Sequence, residues 1–310
     1  MRLRKESIVI LSLFLFFLIC RNLHGEQDTI TIGYVSDDPQ QHYQRFKAFV
    51  DYIAKNLEYM GIRKGKVLLA KDNHQLIKYL RENKVDIVSE TPYSTIIYME
   101  KAGLRPLLRA WKKGVPRYNS YIFIRKDSGI NSLKDLRGKV IAFEDPGSTT
   151  GYFLPKIAII KEGLEMVELK DYTQKPPADK VGYCFAQGEP NVAHWVHKGL
   201  ANAGALSNID FQEADKVPPN FLIDFKVIYE SEPVPRNVIS VRGEMDPNLR
   251  EEIKNILLNM AFTEEGKRIM WKLARTICFD EFPEGTEEVI KSFTEKYILM
   301  KEEIEEEYPE

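Results

Sequence analysis

Three consecutive hydroxyl side chains, Ser148, Thr149 and Thr150, sit in the segment Asp145-Pro146-Gly147-Ser148-Thr149-Thr150-Gly151-Tyr152. An apolar strand-like run (139–143) precedes it and an apolar helix-like run (153–162) follows. The chemistry such a junction offers is anion capture. Hydroxyls and unpaired helix-start amides supply many donors without a side-chain cation, and the helix dipole favours negative charge. An ordinary strand-to-helix turn with Ser or Thr as N-cap is the alternative reading. Gly151 allows close backbone approach. Covalent catalysis lacks a convincing set: Cys184 has no activating context in sequence and Ser148 lacks the glycine flanks of a hydrolase elbow. His194 and His197 stand three apart without a third ligand at helical spacing, so they are expected to be structural and no metal or cofactor is expected.

The elements that must position these donors alternate between period-two and helical patterns, the signature of an α/β chain with a largely parallel sheet. Strands are expected at 29–35, 66–70, 85–89, 104–111, 118–125, 139–143, 181–186, 203–206, 225–230 and 237–242. Helices are expected at 42–57, from Asn73, at 93–102 behind Pro92, and at 132–136, 149–162 and 191–198. Further helices are expected from Pro247, over 264–274 and over 286–307, where the glutamate-rich end reads as a solvated face. The strands at 118–125 and 237–242 lead out of and back into the first unit. Residues 26–117 and 238–310 then form one lobe and 118–237 an inserted second lobe, with a shared cleft between them. Tyr34, Tyr93, Tyr118, Tyr121 and Tyr152 fall at expected strand or loop ends facing that cleft, where a ring gives an apolar wall and a hydroxyl. Asp37-Asp38 reads as a helix cap.

Residues 1–25 carry Arg2, Arg4 and Lys5 before an apolar stretch, the layout of a secretory signal peptide, so an extracytoplasmic protein is expected. A lipid anchor at Cys20 is the less favoured alternative, and the stretch is shorter than the about 20 residues of a membrane span. Removing the leader leaves 40 basic residues against 45 acidic ones, moving the net charge from -2 to -5. A mildly acidic exported chain is a poor nucleic-acid binder. The two remaining cysteines, Cys184 and Cys278, make neither a disulfide framework nor a metal pattern.

Several motifs together resemble the phosphate, phosphite and phosphonate binding family, the substrate-binding subunits of ABC importers with the type II periplasmic-binding-protein fold. Arg45-Phe46 with Asp51-Tyr52-Ile53-Ala54-Lys55 comes first, then Val85-Asp86-Ile87-Val88 followed by Pro92-Tyr93-Ser94. Arg125 to Ile130, Ser132 to Lys139, the Asp145 to Tyr152 segment with Pro155, and Glu230-Ser231 with Val234-Pro235 complete it. The resemblance implies a two-lobed fold with a two-strand hinge. It implies that Ser148, Thr149 and Thr150, with the Gly151 backbone, surround the ligand's oxygens, and that Ser94 with Tyr93 or Thr95 closes from the opposite side. Tyr118, Tyr34 and Glu189 complete the expected ligand-facing set. The chain departs from the family at Gln187-Gly188-Glu189-Pro190 and at Ala203 to Asn208, where a histidine and acids are usual. The oxyanion end is thus kept, while the groups that meet a ligand's amine or protonated oxygen are altered. The expected function is capture of a small anion and delivery to an ABC permease by a monomer that is not an enzyme. A sensory receptor or an enzyme built on the same fold are the alternatives.

Overall fold

The computed structural model describes residues 28–36 and 38–309. The leader expected over 1–25, Cys20 and Asp37 lie outside the described residues. In chain order the elements are β1 (Thr29–Val35), α1 (Pro39–Asn56), β2 (Lys64–Ala70), α2 (Asn73–Arg81), β3 (Ile87–Glu90), α3 (Pro92–Ala102), β4 (Leu104–Lys112), β5 (Arg117–Tyr118) and β6 (Ser120–Arg125). Then come β7 (Val140–Phe143), a π-helical turn (Thr149–Phe153), α4 (Leu154–Lys161), β8 (Met166–Glu168), β9 (Val181–Phe185), α5 (Glu189–His197), β10 (Ala203–Ser207), α6 (Pro219–Leu222) and β11 (Phe225–Glu230). The chain ends with β12 (Val234–Pro235), β13 (Val238–Arg242), α7 (Pro247–Asn259), α8 (Glu264–Lys272), β14 (Thr276–Asp280), α9 (Thr286–Leu299) and α10 (Lys301–Glu307).

Two six-stranded sheets result, ordered β14-β4-β13-β3-β1-β2 and β11-β6-β10-β7-β9-β8. In each, three neighbouring strands run parallel, β2-β1-β3 and β8-β9-β7, with β10 also parallel to β7. Parallel strands need crossovers, which α1, α2, α4 and α5 provide, and their C-terminal ends present loops on one edge. The chain leaves the first sheet through β5 and returns through β12, and these two short strands pair with each other, Tyr118 opposite Val234. One apolar cluster covers a face of the first sheet under α1 and α7. A second runs from α2 and α3 across Tyr93 and Phe153 into the second sheet, the two rings stacked at 4.3 Å.

Several boundaries differ from the sequence reading for identifiable reasons. Helix α1 starts at Pro39 rather than at residue 42, because the Asp38 carboxylate accepts from the Gln41 amide (3.1 Å) and proline is suited to a first turn. The helix expected at 149–162 opens as a π turn. Pro155 has no N–H to give to the carbonyls one turn back, and those carbonyls find other donors: the Ser120 hydroxyl donates to Thr150 O (2.6 Å) and the Glu144 amide to Gly151 O (3.1 Å). The single strand expected at 118–125 is broken at Asn119, whose amide donates to Asn208 Oδ1 and whose side chain donates to Ser231 O. Strands β8 and β14 were not anticipated. The glutamate-rich end is also more than a solvated face: Ile304 is buried, Glu305 accepts from the buried Lys101 (2.6 Å) and Glu303 pairs with the buried Lys156.

Asp86 shows how the first sheet is fixed. Fully buried, it accepts from the Thr31 amide (2.7 Å) and from Arg242 Nε (2.8 Å), tying β1 to β13. Asp86→Ala strands both donors and is expected to lower stability by about 3 kcal/mol. A urea midpoint that stays at the wild-type value contradicts this.

Candidate ligand-binding site

The cradle lies where the two sheets meet. Thr149 and Thr150 are buried there, and the Tyr93 amide at the start of α3 donates to Thr149 Oγ1 at 3.0 Å. Two helix starts therefore face each other, one from each sheet, and a direct bond joins them. The amides of a first turn have no intrahelical acceptor; here the Tyr93 amide is met by Thr149 Oγ1 and the Gly151 amide by Ser148 Oγ. Ser148 takes the ordinary capping role: its Oγ accepts from the Gly151 amide (2.9 Å) and donates to Glu144 Oε2 (2.7 Å). Gly151 has to be glycine, because a Cβ there would lie 2.6 Å from Glu144 side-chain atoms.

The other residues singled out from sequence divide into two groups. Tyr93 stays at the contact through its amide, while its ring is packed and its buried hydroxyl has no hydrogen-bond partner. Tyr118 is buried under the Arg236 guanidinium, which lies 4.5 Å from its ring centre; burial raises its hydroxyl, opposed by Arg236 and by polar contact with Thr149. Glu189 begins α5 and holds Lys216 at 3.2 Å. Ser94 is buried near Tyr98, and Thr95 turns back to donate to Thr91 O (2.9 Å). Tyr34 packs its ring between His42 and Phe46, and Tyr121 packs on Phe211. Tyr152 lies inside, where its hydroxyl donates to Glu303.

Sequence reasoning missed the charged groups of the cleft. Glu144 stands one residue before the segment that drew attention, and Arg236 hides in the proline-punctuated return from the second sheet. Arg236 Nε is buried and unpartnered. Lys112, at the end of β4, is held below the usual lysine range by burial and by the Arg236 charge. Glu90, at the end of β3, is pushed up to about 7 by burial, although the Thr91 and Val35 amides and Lys112 oppose the shift. Glu144 is pushed up to about 8 by burial and by the facing Glu189. A cleft with this composition can bind an anion through hydroxyls and a hinge-side guanidinium, with burial favouring the neutral form of Glu90 and Glu144.

The raised acids set a pH dependence. Unfolded glutamates ionise near 4.5, whereas Glu90 and Glu144 stay protonated in the fold until about 7 and 8. Their contribution to stability is thus complete below about pH 4.5 and declines as pH rises to those values, each by up to about 1.4 kcal/mol per pH unit. Glu90→Gln is expected to flatten the decline between pH 5 and 7, and identical slopes in urea titrations of both proteins contradict the assignment.

Among the described residues no three His, Cys, Asp or Glu side chains come together as a metal site. His197 stacks on Phe221 at 3.8 Å. Cys184 and Cys278 are free, and burial pushes the Cys184 thiol up to about 11. No helix among the described residues is long and apolar enough to cross a membrane.

Residues 32–283 match the family described as ABC transporter, phosphonate, periplasmic substrate-binding protein. The phosphate-import protein PhnD of Mycolicibacterium smegmatis is 27% identical over 254 residues, covering 78% of this chain and 76% of the relative. XAC2383 from Xanthomonas citri, solved bound to chloride, is 32% identical with a TM-score of 0.80 over 89% of this chain and 99% of the other, and it has also been solved bound to ATP. PhnD1 from Prochlorococcus marinus, in complex with methylphosphonate, shares the fold at 17% identity, with a TM-score of 0.61 over 89% and 99% of the two chains. The two sheets joined by a paired ribbon are the type II periplasmic-binding-protein fold, and the chain belongs to the phosphonate periplasmic substrate-binding family of ABC transporters.

Proposed function

We propose that this protein captures a small phosphonate-like or phosphate-like oxyanion between its two sheets and delivers it to an ABC permease outside the cytoplasm. Residues 28–117 and 238–309 act as one lobe and 118–237 as the other, closing about the β5–β12 ribbon. The observation that carries this is the bond from the Tyr93 amide to Thr149 Oγ1, which brings two donor-rich helix starts together from opposite sheets. Ser148, Thr149, Thr150 and the Gly151 backbone form the oxyanion end. Tyr93, Ser94 and Thr95 belong to the opposing helix start, Tyr118 and Glu189 flank the site, and Tyr34 supports it from β1. Relatives named for phosphate import and solved with chloride, ATP or methylphosphonate support an anion as the ligand class.

A thermal-shift series with phosphate, phosphite, alkylphosphonates and sulfate tests the capture step. A ligand at 100 times its Kd is expected to add about 2.7 kcal/mol of stability. The best ligand should then stimulate ATP hydrolysis by the cognate transporter reconstituted with this protein. No stabilisation by any of these anions contradicts the reading.

A further inference from the structure

The cradle already contains a carboxyl group. Ser148 Oγ donates to Glu144 Oε2 at 2.7 Å, and the same oxygen lies 2.6 Å from the position a Cβ on Gly151 would occupy. Glu144 therefore rests over the bare Cα of Gly151, beside the hydroxyl and amides that converge there. Asp145 on its own loop, Glu189 at the start of α5, Asp210 beyond β10 and Tyr118 on β5 face it. Glu189 is itself paired with Lys216. An ionised Glu144 in that position would repel an arriving oxyanion at close range and in a desolvated space.

Building on the function proposed above, we propose that Glu144 gates the cradle by protonation: the oxyanion binds only while this carboxyl carries its proton, so binding draws in one proton wherever Glu144 starts out ionised. The Glu144 carboxylate accepts a proton from solvent, its new O–H donates to a ligand oxygen, and the Ser148 hydroxyl released from the carboxylate donates to the ligand as well. No bond other than these changes. Burial and Glu189 place this titration near 8, so the gate is open at neutral pH and closes in alkali.

Calorimetry with methylphosphonate at pH 7, 8 and 9, in buffers of different ionisation enthalpy, tests this on the wild type and Glu144→Gln. The ligand's own titration is common to both proteins, so the difference isolates Glu144. At pH 9 the wild type is expected to take up close to one proton more than E144Q, and between pH 8 and 9 its affinity should fall about fivefold more. E144Q, whose amide donates at every pH, should then bind more tightly than the wild type at pH 9. Glu189→Gln provides a second arm: removing the facing carboxylate should move the wild-type fall in affinity to lower pH. Equal proton uptake with parallel pH profiles overturns the gate while leaving anion capture intact. Absence of methylphosphonate, phosphate and sulfate binding in every protein overturns the capture reading and the gate with it.

Discussion

Replacing Ser148 and Thr149 together by alanine is expected to weaken phosphonate or phosphate binding by at least a hundredfold while the protein stays folded. Each charge-assisted hydrogen bond to an anion contributes roughly 1.5 to 3 kcal/mol, so two lost hydroxyls remove about 3 to 6 kcal/mol, or two to four orders of magnitude in Kd. Stability should change far less. Ser148 loses a capping bond to Gly151, typically about 1 kcal/mol, and Thr149 loses the acceptor of the Tyr93 amide. Isothermal titration beside a thermal melt separates the two quantities. Unchanged affinity would show that these hydroxyls do not hold the anion, and a collapse of the melt would show that they are chiefly structural.

The second large effect is expected one turn further along the helix that carries the cradle. Lys156 is only 5% exposed and donates to the Tyr152 and Tyr183 hydroxyls at 3.1 Å, with Glu303 of α10 as its paired carboxylate. Burial holds Lys156 below the usual lysine range, and Glu303 is the main group opposing that shift. Glu303→Ala leaves an enclosed ammonium with phenols but without its paired charge. Breaking a buried pair costs about 3 to 5 kcal/mol, and the partial exposure of Glu303 brings the expected loss to about 2 kcal/mol. Lys156→Met combined with Glu303→Leu should recover most of it, because the pair is replaced by apolar groups of similar volume. The coupling is read from a double-mutant cycle of urea midpoints. Strictly additive single and double variants would mean that α10 is held by its other contacts, the buried Ile304 and the Glu305–Lys101 pair, rather than by Glu303.

Period-two and helical spacing sufficed to read the alternation of strands and helices because apolar faces must be buried wherever the elements pack. The strand β1, with its buried isoleucines, and the amphipathic stripe of α1 at Phe46, Phe49, Val50 and Ile53 are of this kind. Short strands carry too few residues to show a period, so Met166–Glu168 and Thr276–Asp280 escaped. The place of the hydroxyl triplet between a strand and a helix start was legible because apolar runs flank it on both sides. Arg236, Lys112, Glu90 and Glu144 were not. Each is one charged residue at or next to the end of an element, and only the tertiary fold sets Arg236, Lys112 and Glu90 near one another and Glu144 opposite Glu189.

A crystal structure of the protein grown with methylphosphonate would test the central claim most directly. The phosphonate oxygens are expected between the Ser148-Thr149-Thr150 hydroxyls and amides on one side and the start of α3, at the Tyr93 amide, on the other. Phosphonate seated elsewhere, with the Tyr93 to Thr149 contact unchanged and the loop donors still turned to Glu144, would contradict it.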